Sequence, residues 1–555
     1  MDIKALTDSL SVTEQILASD IDAIVAAGFR SVICNRPDGE SPDQPSALEI
    51  EAVVRAAGLE FRNLPAESGK VSDEQGVQFG CLLDTLPRPV LAYCRTGTRS
   101  TTMWALSQAA HVPLPVILER ATRAGYDMTG FVRRIANGGK TPVEVVESTH
   151  EVVIIGGGAA GIAVAASLLA RKPGLNIAII DPADVHYYQP GWTMVGAGVF
   201  DAATTARTMA SVIPHGVRWI KAAVAAFEPQ RDAVVLDGCR IVRYGQLVVC
   251  PGLKLDWSAI QGLPETLGRN GVTSNYRYDL APYTWELVQS LRGGRALFTQ
   301  PSMPIKCAGA PQKAMYLSAD HWRSQGVLKD IDIRFCNAGA ALFSVAAYVP
   351  ALMEYVNAYG INLQFGENLV SIDGAAKIAV FGTTGADGSK ALVTRPFDMI
   401  HVVPPQKAPD FVRVSPLADA AGWVDIDPGT LRHKTWANVF ALGDVGNTTN
   451  AKTAAAARKQ APVVAHNVLV TRGVLPTEVR YDGYGSCPLT VERGRIVLAE
   501  FLYGGKVAPS FPRWLIDGTR PSRLAWFLKE RILPPLYWQG MLKGREWLAR
   551  PEMVD

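Results

Sequence analysis

The chain has 555 residues, 48% of them hydrophobic and 19% charged, with 55 basic against 52 acidic side chains and a formal net charge of +3. That length exceeds what one hydrophobic core usually fills, so two or three globular domains are expected, and a charge so close to balance excludes nucleic acid as the main partner. The start "MDIKALTDSLSVTEQ" has no basic stretch leading into an apolar run, and no segment reaches the roughly 18 consecutive apolar residues that cross a bilayer, so neither a secretory signal nor a membrane span is expected.

Residues 1–137 alternate helical and strand patterns: a helix over 13–28, a strand "SVICN", a helix "SALEIEAVVRAAG", then an apolar strand over 89–93. This predicts an α/β layer domain. The polar stretch 138–149 reads as a linker. Beyond it the expected order is a first Rossmann part over 150–265, a second Rossmann-like domain over 266–390, a return to the first over 391–480, and a C-terminal segment over 481–555. Eight cysteines show no paired short spacing, so a reducing compartment with a few special thiols is expected, and no metal.

The strand over 89–93 ends in Cys94-Arg95-Thr96-Gly97-Thr98-Arg99-Ser100. Cysteine phosphatases use C-x5-R, whose amides cradle a phosphate. Here Arg99 follows Cys94 by five positions, one residue too short. The six-residue loop C-R-x-G-x-R instead resembles the rhodanese-type sulfurtransferase pattern, in which a tighter ring of amides surrounds one sulfane sulfur. Arg95 and Arg99 would lower the thiol's pKa and bind an anion such as thiosulfate or sulfite. The surrounding domain, with "CNRPDGE" at 34–40, resembles the phosphatase-like domain of beta-lactamase-hydrolase-like proteins. Fold resemblance therefore implies phosphatase chemistry, while loop length implies sulfur transfer. A structural thiol in a turn is the bland alternative.

After the linker, "EVVIIGGGAAGIAVAASLLARKPGLNIAIID" places Gly156, Gly158 and Gly161 at G-x-G-x-x-G spacing between a strand (152–155) and a helix, with Asp181 closing the next strand. The glycines allow a tight turn and close backbone approach, the helix N-terminus meets a pyrophosphate, and the acid accepts from a ribose hydroxyl. "YGQLVVCPG", ending at Gly252, and "NVFALGDVGN", with Gly443 and Asp444, resemble the later FAD segments of two-dinucleotide flavoproteins, where Asp444 would hold the ribityl chain. The strand "RALFTQ" should open the nicotinamide site, yet "PSMPIKCAGAPQK" follows. Prolines lack the amide donor and glycine's backbone freedom, so this nucleotide cradle is expected to fail.

In its place stands Cys307, flanked by Lys306 and Lys313, which would lower the thiol's pKa if they point at it. Cys487 follows 180 residues later in "YDGYGSCPL", read as a glycine-rich aromatic loop. Each cysteine alone would more often be a buried structural thiol. Together, "HYYQPGWTMVGAGV", "KCAGAPQKAMYLS", "HVVPPQKAPDFV", "AGWVDID", "NAKTAAAARKQ" and "YDGYGSCPLT" resemble the sulfide:quinone oxidoreductase family from about residue 148 onward.

That resemblance implies an FAD enzyme in which sulfide opens a Cys307–Cys487 disulfide or its sulfur-bridged form. Cys307 then passes electrons to the flavin, Cys487 holds the persulfide, and Lys452 stabilises negative charge on reduced flavin. A membrane quinone reoxidises the flavin, and a small thiol or sulfite takes the sulfur. From Arg513 to Arg550 there are eight basic against three acidic residues, with Trp514, Trp526, Trp538 and Trp547 interleaved. This suits peripheral contact with an inner membrane from the cytoplasm; a helical tail packed on the protein's own core is the alternative. Two other readings stay open: a type II NADH:quinone oxidoreductase, and an N-terminal module that is a phosphatase or a non-catalytic binding domain.

Overall fold

A computed structural model describes residues 1–142, 146–384 and 388–551. Parts of the expected linker (143–145), of the second dinucleotide domain (385–387) and of the C-terminal segment (552–555) lie outside the described residues. Two compact units form. The first comprises Met1–Thr149, Ala222–Tyr244 and Asp410–Ala418, and the second comprises His150–Lys221, Gly245–Pro409 and Asp419–Asp555.

The first unit is built on a five-stranded sheet in the order Lys4–Thr7, Leu10–Thr13, Val90–Tyr93, Ser31–Cys34, Glu60–Asn63. The first pair is antiparallel and the others are parallel. Val90–Tyr93 is central and almost wholly buried, as its unbroken apolar run requires of a strand covered on both faces. Its carboxyl end delivers Cys94 to the edge where α/β sheets place their sites. The helix expected over 13–28 is shorter: Leu10–Thr13 is recruited as a strand beside Val90–Tyr93, and the helix runs Ile21–Ala26. Elsewhere local signals hold, since Ser46 and Ser72 cap Ala47–Ala56 and Asp73–Thr85 through capping boxes with Glu49 and Gln75.

The segment Ala222–Tyr244 belongs to this unit because its apolar face does. Ala225, Ala226, Val235 and Cys239 share one buried cluster with Trp104, Leu106 and Ile117. Arg133 Nε donates to Glu228 Oε1 at 2.6 Å on the same side. Nothing local in the segment distinguishes it from the flavin-binding part to which the sequence reading assigned it.

In the second unit Val217–Ile220, Ile177–Ile180, the part of Val146–Ile155 from His150 on, the part of Ile241–Val249 from Gly245 on, and Val439–Ala441 lie side by side in one sheet. The helix Ala159–Arg171 returns the chain between two of these strands and packs on Ala454–Thr471. Both helices begin with small residues, which lets the glycine turn, the strand ends and the second helix approach closely. A second, parallel sheet runs Val272–Thr273, Met399–His401, Gly294–Gln300, Ile331–Asn337, Asn362–Phe365. Against it lies the hairpin Gly485–Glu492/Arg495–Phe501, whose Leu489, Val491, Val497 and Ala499 join the cluster around Phe298 and Phe335. Among the described residues no helix is long and apolar enough to cross a membrane.

Candidate functional site

The glycine turn has the geometry of a dinucleotide cradle. At Gly161 a Cβ would lie 1.9 Å from the Gly156 carbonyl oxygen, so only glycine lets the helix start this close to the strand end. Beside Gly158 and Gly252, by contrast, a Cβ would meet nothing within 4 Å: the turn and the Gly252 loop face open space. Asp181 accepts the Gly157 N–H at 2.6 Å and the Ala183 N–H at 2.8 Å, and a carboxylate retains lone pairs for ribose hydroxyls. Gly443 donates its N–H to Gln460 Oε1 at 2.8 Å, and the Gln460 Nε2 is buried without a partner. Open space, helix-start amides and an orphaned buried donor fit a bound dinucleotide.

Asp444 lies next to Gly443. Burial pushes its carboxyl above the usual range, opposed by the ammonium groups of Lys306 and Lys452. Lys452 donates through Nζ to the carbonyls of Asp444 and Gly446, each at 2.7 Å, and lies 4.3 Å above the Trp423 ring. Burial brings its pKa down to about 8. Its backbone carbonyl in turn accepts the Cys307 N–H at 2.8 Å, which ties the cation to Cys307.

Cys307 and Cys487, 180 residues apart, stand with their Sγ atoms 3.9 Å apart as free thiols, within a small shift of the 2.05 Å bond length. Lys313 Nζ donates to Cys307 Sγ at 3.2 Å. The Cys487 thiol's hydrogen bond, reinforced by the Lys313 charge, holds Cys307 well below the usual thiol range. The same contact, together with burial, pushes Cys487 well above it. The pair is therefore asymmetric, with Cys307 the more acidic thiol. Cys307 has a φ of +49°, a left-handed conformation unusual outside glycine and characteristic of functional loops. Of its flanking lysines only Lys313 points at it; Lys306 reaches Gln189 and the Trp192 and Tyr276 rings.

One expectation is corrected here. Cys487 is not in a loop: it lies in the strand Gly485–Glu492 and is 3% exposed. The glycines and tyrosines before it form the turn into that strand, and strand pairing with Ala499 fixes the thiol toward Cys307.

In the first unit, Gly97 starts the helix Thr98–Gln108 at φ +85° and donates its N–H to Cys94 Sγ at 3.1 Å. A Cβ there would lie 1.9 Å from the Tyr126 hydroxyl, which itself donates to the Thr96 carbonyl. Arg99 forks onto Glu40, Nη1 to Oε1 at 2.7 Å and Nη2 to Oε2 at 2.8 Å, and also donates to the Ala66 carbonyl at 2.6 Å. Arg36 shares the carboxylate through Nε at 3.0 Å. Arg95 is exposed, and Ser100 Oγ is buried without a partner. The sequence contained Glu40 within "CNRPDGE", but no local signal pairs it with a residue 59 positions on.

Residues 2–111 match the family described as "Beta-lactamase hydrolase-like protein, phosphatase-like domain", and residues 150–283 match "Pyridine nucleotide-disulphide oxidoreductase". Over 429 residues the chain is 41% identical to the mitochondrial sulfide:quinone oxidoreductase of Dictyostelium discoideum, covering 77% of this chain and 93% of that protein. The chain belongs to the sulfide:quinone oxidoreductase family. The family and fold expected from the motifs are thus those found, and the chain is an oxidoreductase with a flavoprotein fold. The structure of the sulfide:quinone oxidoreductase from Aquifex aeolicus aligns with a TM-score of 0.59 at 19% identity, over 71% of this chain and 92% of that one, a likeness of fold. At the other end, the beta-lactamase hydrolase-like protein of Agrobacterium fabrum is 30% identical over 104 residues, 19% of this chain and 24% of that protein. The sulfide:quinone oxidoreductase portion and the phosphatase-like portion are therefore joined in one chain.

The C-terminal segment divides its tryptophans. Trp526 and Trp538 are buried, whereas Trp514 is 83% and Trp547 55% exposed, beside exposed Leu515, Phe527, Ile532 and Leu548. Tyr537 shares a hydrogen bond with His186 Nε2 at 2.6 Å, and His186 Nδ1 lies 2.9 Å from the Gly157 carbonyl. The segment thus both braces the glycine turn and leaves apolar side chains in solvent. Lys529, also in it, is buried near Cys307 and Cys487. A lone lysine on the apolar face of "AWFLKERILPPLYW" was the signal that sequence reading passed over.

Proposed function

We propose that the chain oxidises sulfide to a persulfide at Cys307 and Cys487, passes the electrons through FAD to a quinone, and hands the sulfur onward with Cys94 of the N-terminal domain as a carrier. The observation that carries this reading is the asymmetric thiol pair with Lys313 at 3.2 Å, in a fold whose second Rossmann unit has Pro301 and Pro304 where a nicotinamide cradle needs glycines.

In the oxidised form, with Cys307 and Cys487 joined, hydrosulfide attacks the Cys487 sulfur. A persulfide forms there, the disulfide bond breaks, and Cys307 leaves as thiolate, the better leaving group because Lys313 and Cys487 stabilise its charge. After the outer sulfur has gone to a small thiol or sulfite, the two cysteines re-form their bond and release two electrons. Bound FAD supplies the two-electron acceptor. Gly156, Gly158 and Gly161 would hold its pyrophosphate, Asp181 a ribose, Gly252 and Gly443 the close approach of backbone, and Asp444 the ribityl chain. Lys452, held over Trp423, would place positive charge beside the reduced ring.

In the N-terminal domain, the Gly97 amide on Cys94 Sγ and the short loop support a cradle for one sulfur atom. Arg99 is held by Glu40 and also bears on the Cys94 thiol, and the exposed Arg95 is placed to meet an incoming anion such as thiosulfate. The exposed Trp514, Trp547, Leu548 and neighbouring arginines support peripheral contact with an inner membrane from the cytoplasm. A cavity of about 340 Å³ lined by Tyr188, Phe200, Arg207, Pro534 and Trp538 lies beside this segment and offers an apolar acceptor a place to enter.

Anaerobic mixing of flavin-loaded protein with sulfide and sulfite tests the main reading: the flavin bleaches, and fails to do so in Cys307→Ser and Cys487→Ser. Bleaching by NADH with no response to sulfide would establish a type II NADH:quinone oxidoreductase instead. For Cys94, thiosulfate:cyanide sulfur transfer that disappears in Cys94→Ser supports the carrier role, whereas Cys94-dependent hydrolysis of phosphate esters would replace it with a phosphatase.

A further inference from the structure

The mechanism above leaves one buried cation without a role. Lys529 is 5% exposed and makes neither ion pair nor hydrogen bond among the described residues. Burying an ammonium group without a counter-charge is costly, so a structural purpose alone does not account for it.

Its surroundings identify the site that it serves. Ala525 and Trp526 pack in one cluster with Leu317, Ile496 and Leu498. Lys529 lies in the wider π-helical turn Leu528–Ile532 that continues the helix Arg523–Phe527, and it is the residue of that turn that is buried. Leu317, on the facing helix Ala310–Ser324, is in turn four positions after Lys313. Both lysines lie close enough to the sulfur pair for their charges to act on Cys307 and Cys487. Lys313 is occupied by Cys307 at 3.2 Å. Lys313 also bears on Cys487, whose thiol rests against Gly309, where a Cβ would lie 2.4 Å from Sγ; a persulfide anion on Cys487 beside a Cys307 thiolate would leave two negative charges to this one ammonium group. The titratable groups facing Lys529 are Lys313, Cys307 and Cys487. No carboxylate is among them.

We propose that Lys529 is a catalytic residue of the sulfur site: it takes the proton released when hydrosulfide becomes a persulfide on Cys487, and then serves as counter-ion to that persulfide. The step balances. Hydrosulfide, the joined cysteines and neutral Lys529 give Cys307 thiolate, Cys487 persulfide anion and the Lys529 ammonium; one sulfur–sulfur bond breaks, another forms, and the proton moves from the incoming sulfur to Nζ. Burial, then the neighbouring Lys313 ammonium, bring Lys529 down to about 7, so the neutral form is present at working pH. This inference rests on the sulfide reading of the same site.

The test uses the full-length, flavin-loaded protein with Lys529→Met and Lys529→Arg, both checked for flavin content and thermal unfolding. With sulfite saturating as sulfur acceptor, flavin bleaching is followed from about pH 6 to about pH 9 at constant hydrosulfide concentration, and the wild-type rate falls as pH drops through about 7, while Lys529→Met is slower by about 100-fold and loses that limb; sulfur retained on Cys487 is read separately without sulfite. Lys529→Arg keeps the charge, so it retains the added sulfur on Cys487, read by peptide mass, but loses the pH limb. A Lys529→Met protein within about twofold of wild type at every pH, with equal sulfur retained on Cys487, overturns the proposal. Should wild-type flavin not respond to sulfide, the function reading fails first. Sulfur delivered to Cys487 from an organic trisulfide, retained equally with and without Lys529, would then refute the counter-ion role by itself.

Discussion

Replacing Glu40 by Gln removes the carboxylate that two buried guanidinium groups share. The Arg36 and Arg99 side chains are 6% and 7% exposed, and that of Glu40 is 23% exposed. Loss of one partner from a buried pair costs about 3–5 kcal/mol, and the partial exposure of Glu40 places the expectation near the lower end, about 3 kcal/mol. For a unit of this size each kcal/mol shifts the midpoint by about 2–4 °C, so Glu40→Gln should unfold about 6–12 °C lower at neutral pH. The hydrogen bond from Arg99 is the leading cause that holds the Glu40 carboxyl below its usual 4.5. A depressed carboxylate stabilises above its unfolded pKa and loses that contribution as pH falls through the folded one, so the gap between wild type and variant should close on acidification below about pH 4. Scanning calorimetry across pH measures both, and thiosulfate:cyanide transfer should fall in parallel because Arg99 positions the Cys94 loop. A midpoint unchanged within about 1 °C at neutral pH would refute the reasoning, since Arg99 would then be held by the Ala66 carbonyl and packing alone.

Three further outcomes are expected. Gly161→Ala forces a Cβ to within 1.9 Å of the Gly156 carbonyl oxygen; relieving it costs about 1–3 kcal/mol and opens the turn, so the purified variant should carry less flavin by its visible absorbance. Lys452 has a pKa brought to about 8 against the ordinary 10.5. Between those values the unfolded chain binds the extra proton, so stability should rise with pH across that window by about 3 kcal/mol, and denaturant titrations of Lys452→Met should lack that rise. Trp514→Ala/Trp547→Ala should weaken co-sedimentation with anionic vesicles while flavin reduction by sulfide in solution is unchanged, and binding of the wild type should fall as salt is raised.

Short-range chemistry was legible in the sequence. G-x-G-x-x-G between a strand and a helix, the prolines after "RALFTQ", the six-residue Cys94 loop and the paired motifs around Cys307 and Cys487 are statements about a few adjacent residues. Backbone freedom, missing amides and loop length act at that range, so they survive without knowledge of the fold. The order of these segments sufficed for the family and for the flavoprotein architecture.

What only the tertiary structure decided are matters of long-range packing. Cys487 sits in a strand because Arg495–Phe501 pairs with it, not because of its glycine-rich approach. Residues 222–244 join the first unit through an alanine and valine face that looks like any other strand pattern. Glu40 meets Arg99 across 59 residues, and Lys529, near the far end of the chain, is buried where its charge acts on the thiols. In each case the deciding energy is burial or charge pairing between segments distant in sequence. Such terms leave no periodic signature in either partner, so they can be read only when the chain is folded.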